Sequence, residues 1–238
     1  MKDFLPSQLG GVPEFVGTTV LDTIGLVIPN VDYQLRQSVE HLKNYRSIGI
    51  LSSRCGAAGQ INAIDEAIKR TNTEILSIQL PRDTKGGAGH GNYIVIGAAN
   101  EADAREAIKI ALEYTEYYSG ELYVSDAGHL EMTCTANAGP AIQYFFNAPA
   151  GQAFGFMAGA PAAVGMVMAD ACLKAADVEM LRYLDAANGT SFTNEVIVAF
   201  TGDAEAVENS IKAARHVGLT LLSKLGKEAK PVGKPYLI

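Results

Sequence analysis

The chain has 238 residues, 48% hydrophobic and 19% charged, a make-up that fits one large globular domain or two of about 120 residues and excludes a disordered chain. A net charge of −7 without a basic, aromatic-interleaved stripe argues against a nucleic-acid partner. No apolar run reaches the roughly 18 residues of a membrane span, and the opening MKDFLPSQLGG lacks the apolar core of a secretory leader.

Residues 1–13 are polar and Pro/Gly-bearing, and are expected to form a flexible arm. Phe15–Val31, rich in β-branched residues, predicts one or two strands broken near Asp22 and Gly25. Asp32–Tyr45 carries Leu35, Val39 and Leu42 at helical spacing, with Asp32 as the N-cap. A buried strand is expected over Ser47–Ser52, then a helix over Ala58–Thr71 with Ile61, Ile64 and Ile68 on one stripe. The apolar runs Glu74–Leu80 and Tyr93–Gly97 predict strands flanking a glycine-rich loop, Pro81–Asn92 (PRDTKGGAGHGN), and Ala102–Tyr117 predicts a helix.

The same order then recurs. Glu121–Thr135 is strand-like, Gly139–Phe146 helical, Ala153–Ala158 a strand and Ala162–Ala176 a helix. The strands Val178–Tyr183 and Glu195–Thr201 flank a second loop, Asp185–Asn194, and Ala204–Val217 is a helix. Asp65, Lys69, Glu74 and Gly97 return 105 positions on as Asp170, Lys174, Glu179 and Gly202. Gly49 returns as Gly155, and Ile108–Lys109 as Ile211–Lys212. A near-constant offset with matching element order implies a duplication. The expected fold class is α+β, with an antiparallel sheet and helices on one side in each unit, over residues 14–118 and 119–226, followed by a tail over 227–238.

Neither loop carries a nucleotide signature: Lys85 precedes the glycines, with no following Ser or Thr, and the G-x-G-x-x-G spacing fails at Asn92. His41 and His216 read as helix-surface residues. His129 and Glu131 share one strand face and could meet a polar solute, but no third metal ligand lies near them. Ser191 lacks a nucleophile-elbow context, and Cys55 has no evident base beside it. Three cysteines (Cys55, Cys134, Cys172) without a C-x-x-C pair suit a reducing, cytoplasmic setting. Asp65, Glu66 and Asp170 read as solvated or interface charges on helix faces, while Asp22 and Asp126 each interrupt an apolar strand and could line a polar passage. No catalytic residues, cofactor or metal are expected, and the chain reads as a non-enzyme.

Gly151–Tyr183 (GQAFGFMAGAPAAVGMVMADACLKAADVEMLRY), with VIVAFTGDAEAVENSIKAARHVG and the phrases EFVGTTVLDTIGLVIPNVD, LPRDTKGGAGHGNYIVIG and GTSFTNE, resembles the bacterial microcompartment shell proteins. The leading strands make it similar to their circularly permuted tandem-domain type, in the propanediol-utilisation branch. The resemblance implies a pseudohexameric homotrimer that tiles a microcompartment shell beside other shell proteins. It implies central pore loops at Lys85, Gly86, Gly87, Ala88, Gly89, His90, Gly91, Asn188, Gly189, Thr190, Ser191 and Phe192. Smaller channels within each subunit would pass glycerol or 1,2-propanediol, with Asp22, Asn92, Asp126, His129, Glu131 and Thr193 as expected contacts. Lys69 and Lys174 would be tile-edge contacts, and encapsulated enzymes a further partner class, although residues 1–13 are short beside the extension that the branch links to cargo. The rival expectation is a small-molecule enzyme or sensor with its ligand between the two halves.

Overall fold

The computed structural model describes residues 14–82, 90–190, 192–226 and 228–237. Glu14–Thr19 (β1) and Thr23–Ile28 (β2) form a hairpin whose turn residues Leu21 and Asp22 have φ of 63° and 52°. The first half continues with Tyr33–Ser38 (α1), Ser47–Ser53 (β3), Ala58–Arg70 (α2), Thr73–Gln79 (β4), Asn92–Ala98 (β5) and Glu101–Tyr118 (α3). The second half comprises Leu122–Ser125 (β6), Gly128–Thr135 (β7), Pro140–Phe146 (α4), Ala153–Ala160 (β8), Ala162–Ala175 (α5), Val178–Leu184 (β9), Val196–Gly202 (β10), Ala204–Lys224 (α6) and Lys230–Pro231 (β11).

Both sheets are antiparallel and share one strand order. The first runs β1-β2-β3-β5-β4, and the second β6-β7-β8-β10-β9 with β11 outside β6. Register refines the repeat. Gly49 faces Ile96 and Gly155 faces Phe200, so Gly97 corresponds to Thr201, not to Gly202 as the constant spacing suggested. Where α5 sits on its sheet, a Cβ at Gly165 would collide with the Gly159 carbonyl, so bare glycines let helix and strand touch backbone to backbone.

Two expectations need correction. The helix over 32–45 stops at Ser38, because Val39 is extended (φ −113°, ψ 108°) and only a 3-10 turn, Glu40–Leu42, follows. This break lets Val39 and Leu42 pack on Ile48 and Val95, outweighing the local periodicity. The Asp32 cap stands, accepting from the amides of Gln34 (2.8 Å) and Leu35 (3.4 Å). Helices also lie on both sheet faces, not on one. In the second half, α5 and α6 cover Met132, Met157 and Phe200, while Ala141, Ile142 and Phe146 of α4 cluster with Phe154, Phe156 and Ala158.

The first half's α2 joins that latter cluster through Ile61 and Ile64, so the two halves share one apolar cluster at their junction. Residues 228–237, expected as a tail, strap the second sheet instead. Glu121, fully buried, accepts from the amides of Tyr236 (2.9 Å) and Leu237 (2.8 Å) and pairs with Arg215 (2.9 Å), which also donates to the Leu237 carbonyl (2.7 Å).

Candidate functional site

A buried polar cluster lies where the halves meet. Strand β10 is preceded by Glu195, a carboxylate with no exposure. Its Oε1 lies 2.5 Å from His90 Nδ1 and accepts from the Thr193 hydroxyl at 2.5 Å, while Oε2 lies 3.3 Å from His129 Nε2. An ionised carboxylate can only accept, so both imidazole atoms carry protons. Burial opposes ionisation of Glu195, but the His129 and His90 hydrogen bonds, the charge of His90 and the Thr193 hydroxyl hold its carboxyl well below the usual range. Burial likewise opposes protonation of His90, yet Glu195 and the more distant Glu131 raise its pKa above the usual histidine value.

A second group lies at the start of α2. Glu131 Oε1 accepts from the amides of Ala57 (2.9 Å) and Ala58 (2.8 Å), so it caps a helix of the other half. Asn92 donates to Ser53 Oγ (2.7 Å) and the Gly56 carbonyl (2.8 Å), and Gln60 donates to Thr23 Oγ1 (3.1 Å). Glu131 Oε2, Asn92 Oδ1, Gln60 Oε1 and His90 Nε2 are buried and meet no partner from the chain. Three of these four are acceptors able to take a hydroxyl proton.

The arrangement is ill-suited to nucleophilic catalysis. In a triad, histidine stands between hydroxyl and carboxylate, whereas here the carboxylate is central and every neighbour donates to it. Cys134 and Cys172 are equally poor nucleophiles, since burial pushes both thiols up to about 12. Among the described residues, no group of three His, Cys, Asp or Glu side chains could hold a metal ion.

Of the expected channel residues, Asn92, His129, Glu131 and Thr193 are buried in these two groups. Asp22 and Asp126 instead occupy the exposed tips of the β1–β2 and β6–β7 hairpins. Of the pore-loop residues, Lys85, Gly86, Gly87, Ala88 and Gly89, and Ser191 in the second loop, lie outside the described residues. His90 is turned inward on Glu195 and Gly91 is buried, so neither is presented at a loop rim, which corrects that part of the expectation. Thr190 is also buried, while Asn188 and Gly189 are exposed and Phe192 projects with 78% exposure at φ 65°.

The two edge lysines are not equivalent. Lys69 donates to the Asn137 carbonyl (2.5 Å) and pairs with Asp65 (2.9 Å) at the junction of the halves, whereas exposed Lys174 pairs with Asp170 at 2.8 Å. Asp65 is fully buried rather than solvated, and accepts from the amides of Gly139, Ala141 and Ile142 at the start of α4. Sequence reasoning missed Glu195, Gln60 and the Asn62–Thr133 hydrogen bond (2.7 Å). Gln60, Asn62 and Thr133 carried one signal, polar residues set inside a helix or strand that is otherwise largely apolar, and Glu195, just ahead of β10, carried none.

Residues 153–227 match the BMC domain family. The chain is 50% identical over 217 residues to the bacterial microcompartment shell protein PduB of Citrobacter freundii, covering 91% of this chain and 80% of that protein. A trimeric PduB shell protein crystal structure superposes with a TM-score of 0.90 at 47% identity, covering 94% of this chain and all (100%) of the other. EtuB from Clostridium kluyveri gives a TM-score of 0.88 at 50% identity, covering 94% and 98%. This extent of likeness places the chain in the family of tandem-domain bacterial microcompartment shell proteins, as a structural component of such a shell.

Proposed function

We infer that the protein is a shell tile: three copies close into a pseudohexagonal ring, and small hydroxylated solutes cross within each copy at the junction of its halves. The observation carrying this reading is the buried set of unmatched acceptors at that junction: Glu131 Oε2, Asn92 Oδ1 and Gln60 Oε1. A diol or triol such as 1,2-propanediol or glycerol donates hydrogen bonds that such acceptors lack, replacing the water it leaves behind. The exposed Asn188, Gly189 and Phe192 then face the central axis, Asp22 and Asp126 stand at the hairpin tips flanking the passage, and Lys174 is left to meet a neighbouring tile. Encapsulated enzymes would face one side of this layer. An enzyme or sensor reading draws no support from the carboxylate-centred cluster or from the relatives, which are shell proteins.

The test is a crystal soaked in 1,2-propanediol, paired with light scattering. A trimeric mass and solute density bounded by Asn92 and Glu131, lost in Asn92→Ala and reduced in Glu131→Gln, is the expected result. A monomer at all concentrations, or solute bound elsewhere, would sink the proposal.

A further inference from the structure

Three of the four unmatched atoms at the junction are fixed acceptors, and the fourth, His90 Nε2, is of another kind. The ring is fully buried and is oriented from its opposite side, because Nδ1 carries the proton that meets Glu195 Oε1 at 2.5 Å. Glu195 is fixed in turn by the Thr193 hydroxyl and by His129 Nε2. With Nδ1 so committed, Nε2 has two states: an acceptor in the neutral ring and a donor in the imidazolium. Among the described residues nothing answers it in either state.

The three acceptors gather around residues 56–58. Asn92 donates to the Gly56 carbonyl, Glu131 Oε1 holds the amides of Ala57 and Ala58, and Gln60 Oε1 lies beside Gly56. His90 lies two residues before Asn92, at the end of β5. Burial opposes its charge, but the hydrogen bond and charge of Glu195 and the charge of Glu131 favour the doubly protonated ring. Arg82, its bridge partner, and Arg54, whose backbone lies against Gly91, are exposed. One donor set among three acceptors is the complement of a hydroxylated molecule, since each hydroxyl gives one hydrogen bond and takes others. An ether takes but cannot give, and would leave every acceptor bare.

We propose that His90 is the selecting residue of the passage: its doubly protonated ring donates through Nε2 to an oxygen of a neutral polyol while Asn92, Gln60 and Glu131 take the polyol's protons, and loss of the Nε2 proton shuts the site to that solute. The proposal rests on the passage inferred above and adds to it a polarity and a pH dependence. In the neutral ring Nε2 becomes a fourth acceptor, so a hydroxyl oxygen there meets lone pair with lone pair. Glu195 acts through His90, as a positioning residue that fixes the ring and holds its charge.

Saturation-transfer NMR of the full chain with 1,2-propanediol as probe, run from mildly acid to mildly alkaline pH, tests this, with isotope-labelled histidine reporting the state of His90. Affinity is expected to fall by about tenfold or more as pH climbs through the His90 titration, the scale of a hydrogen bond from a charged donor. Propanediol should shift the His90 Nε2 signal, and its dimethyl ether should not compete. Glu195→Gln removes the charge facing His90 and should move the fall in affinity to lower pH, a displacement that a merely structural role would not give. His90→Gln, which keeps a neutral donor, should bind weakly and with no pH dependence. One affinity at every pH, an unmoved Nε2 signal in a chain that binds, or a fall that Glu195→Gln leaves in place overturns the role of His90 and leaves the passage standing. No binding by the wild-type chain at any pH, or binding that Asn92→Ala does not touch, removes both. Should Glu195→Gln fail to fold, His90→Gln decides: a pH-dependent fall that persists in it refutes the proposal.

Discussion

At the scale of single residues, the cluster around Glu195 governs how the protein responds to acid and base. His90 has its pKa raised in the fold, so its contribution is complete below the ordinary histidine value near 6.5 and fades as pH climbs through the raised one. Glu195 has its pKa lowered, so its contribution is complete above the ordinary carboxylate value near 4.5 and is lost as pH falls through the lowered one. Stability should therefore plateau between those two ordinary values and decline on both flanks, as measured by urea titration across pH. Glu195→Gln keeps the shape but removes the charge that faces His90, and should cost about 3 kcal/mol in the same titration, with the alkaline decline flattened. Asp65→Asn should cost about 1–2 kcal/mol by releasing the start of α4.

At the scale of elements, Gly165→Ala is expected to push α5 off β8 and lower stability by about 1–3 kcal/mol, read as a fall in urea midpoint. Removing residues 228–237 should do comparable damage, since Glu121 would lose both amide donors and keep only Arg215 and the Tyr123 hydroxyl among its partners from the described residues. Most elements were legible because strands and helices here are long apolar runs broken by turn formers, and Asp32 announced its own cap. The early end of α1 was not, because Val39 follows helical spacing and leaves the helix only to reach Ile48 and Val95. The burial of Glu195 was equally invisible, since its partner His90 lies 105 residues away in sequence. His129 and Glu131 drew notice as polar side chains on one face of an apolar strand and are buried, whereas Asp22 and Asp126 drew notice as charges interrupting apolar strands and lie at hairpin tips.

At the scale of the whole molecule, the duplication is preserved in topology and altered in chemistry. Both sheets keep one strand order, yet α2 is enclosed on most sides whereas α5 buries one face and exposes Met166 and Val167 on the other. Glu195 has one last mechanical implication: it grips the stem of the first loop through His90 and that of the second through Thr193. Displacing the segment at His90 therefore disturbs the segment at Thr193, so the two stems are held as one unit across the junction of the halves.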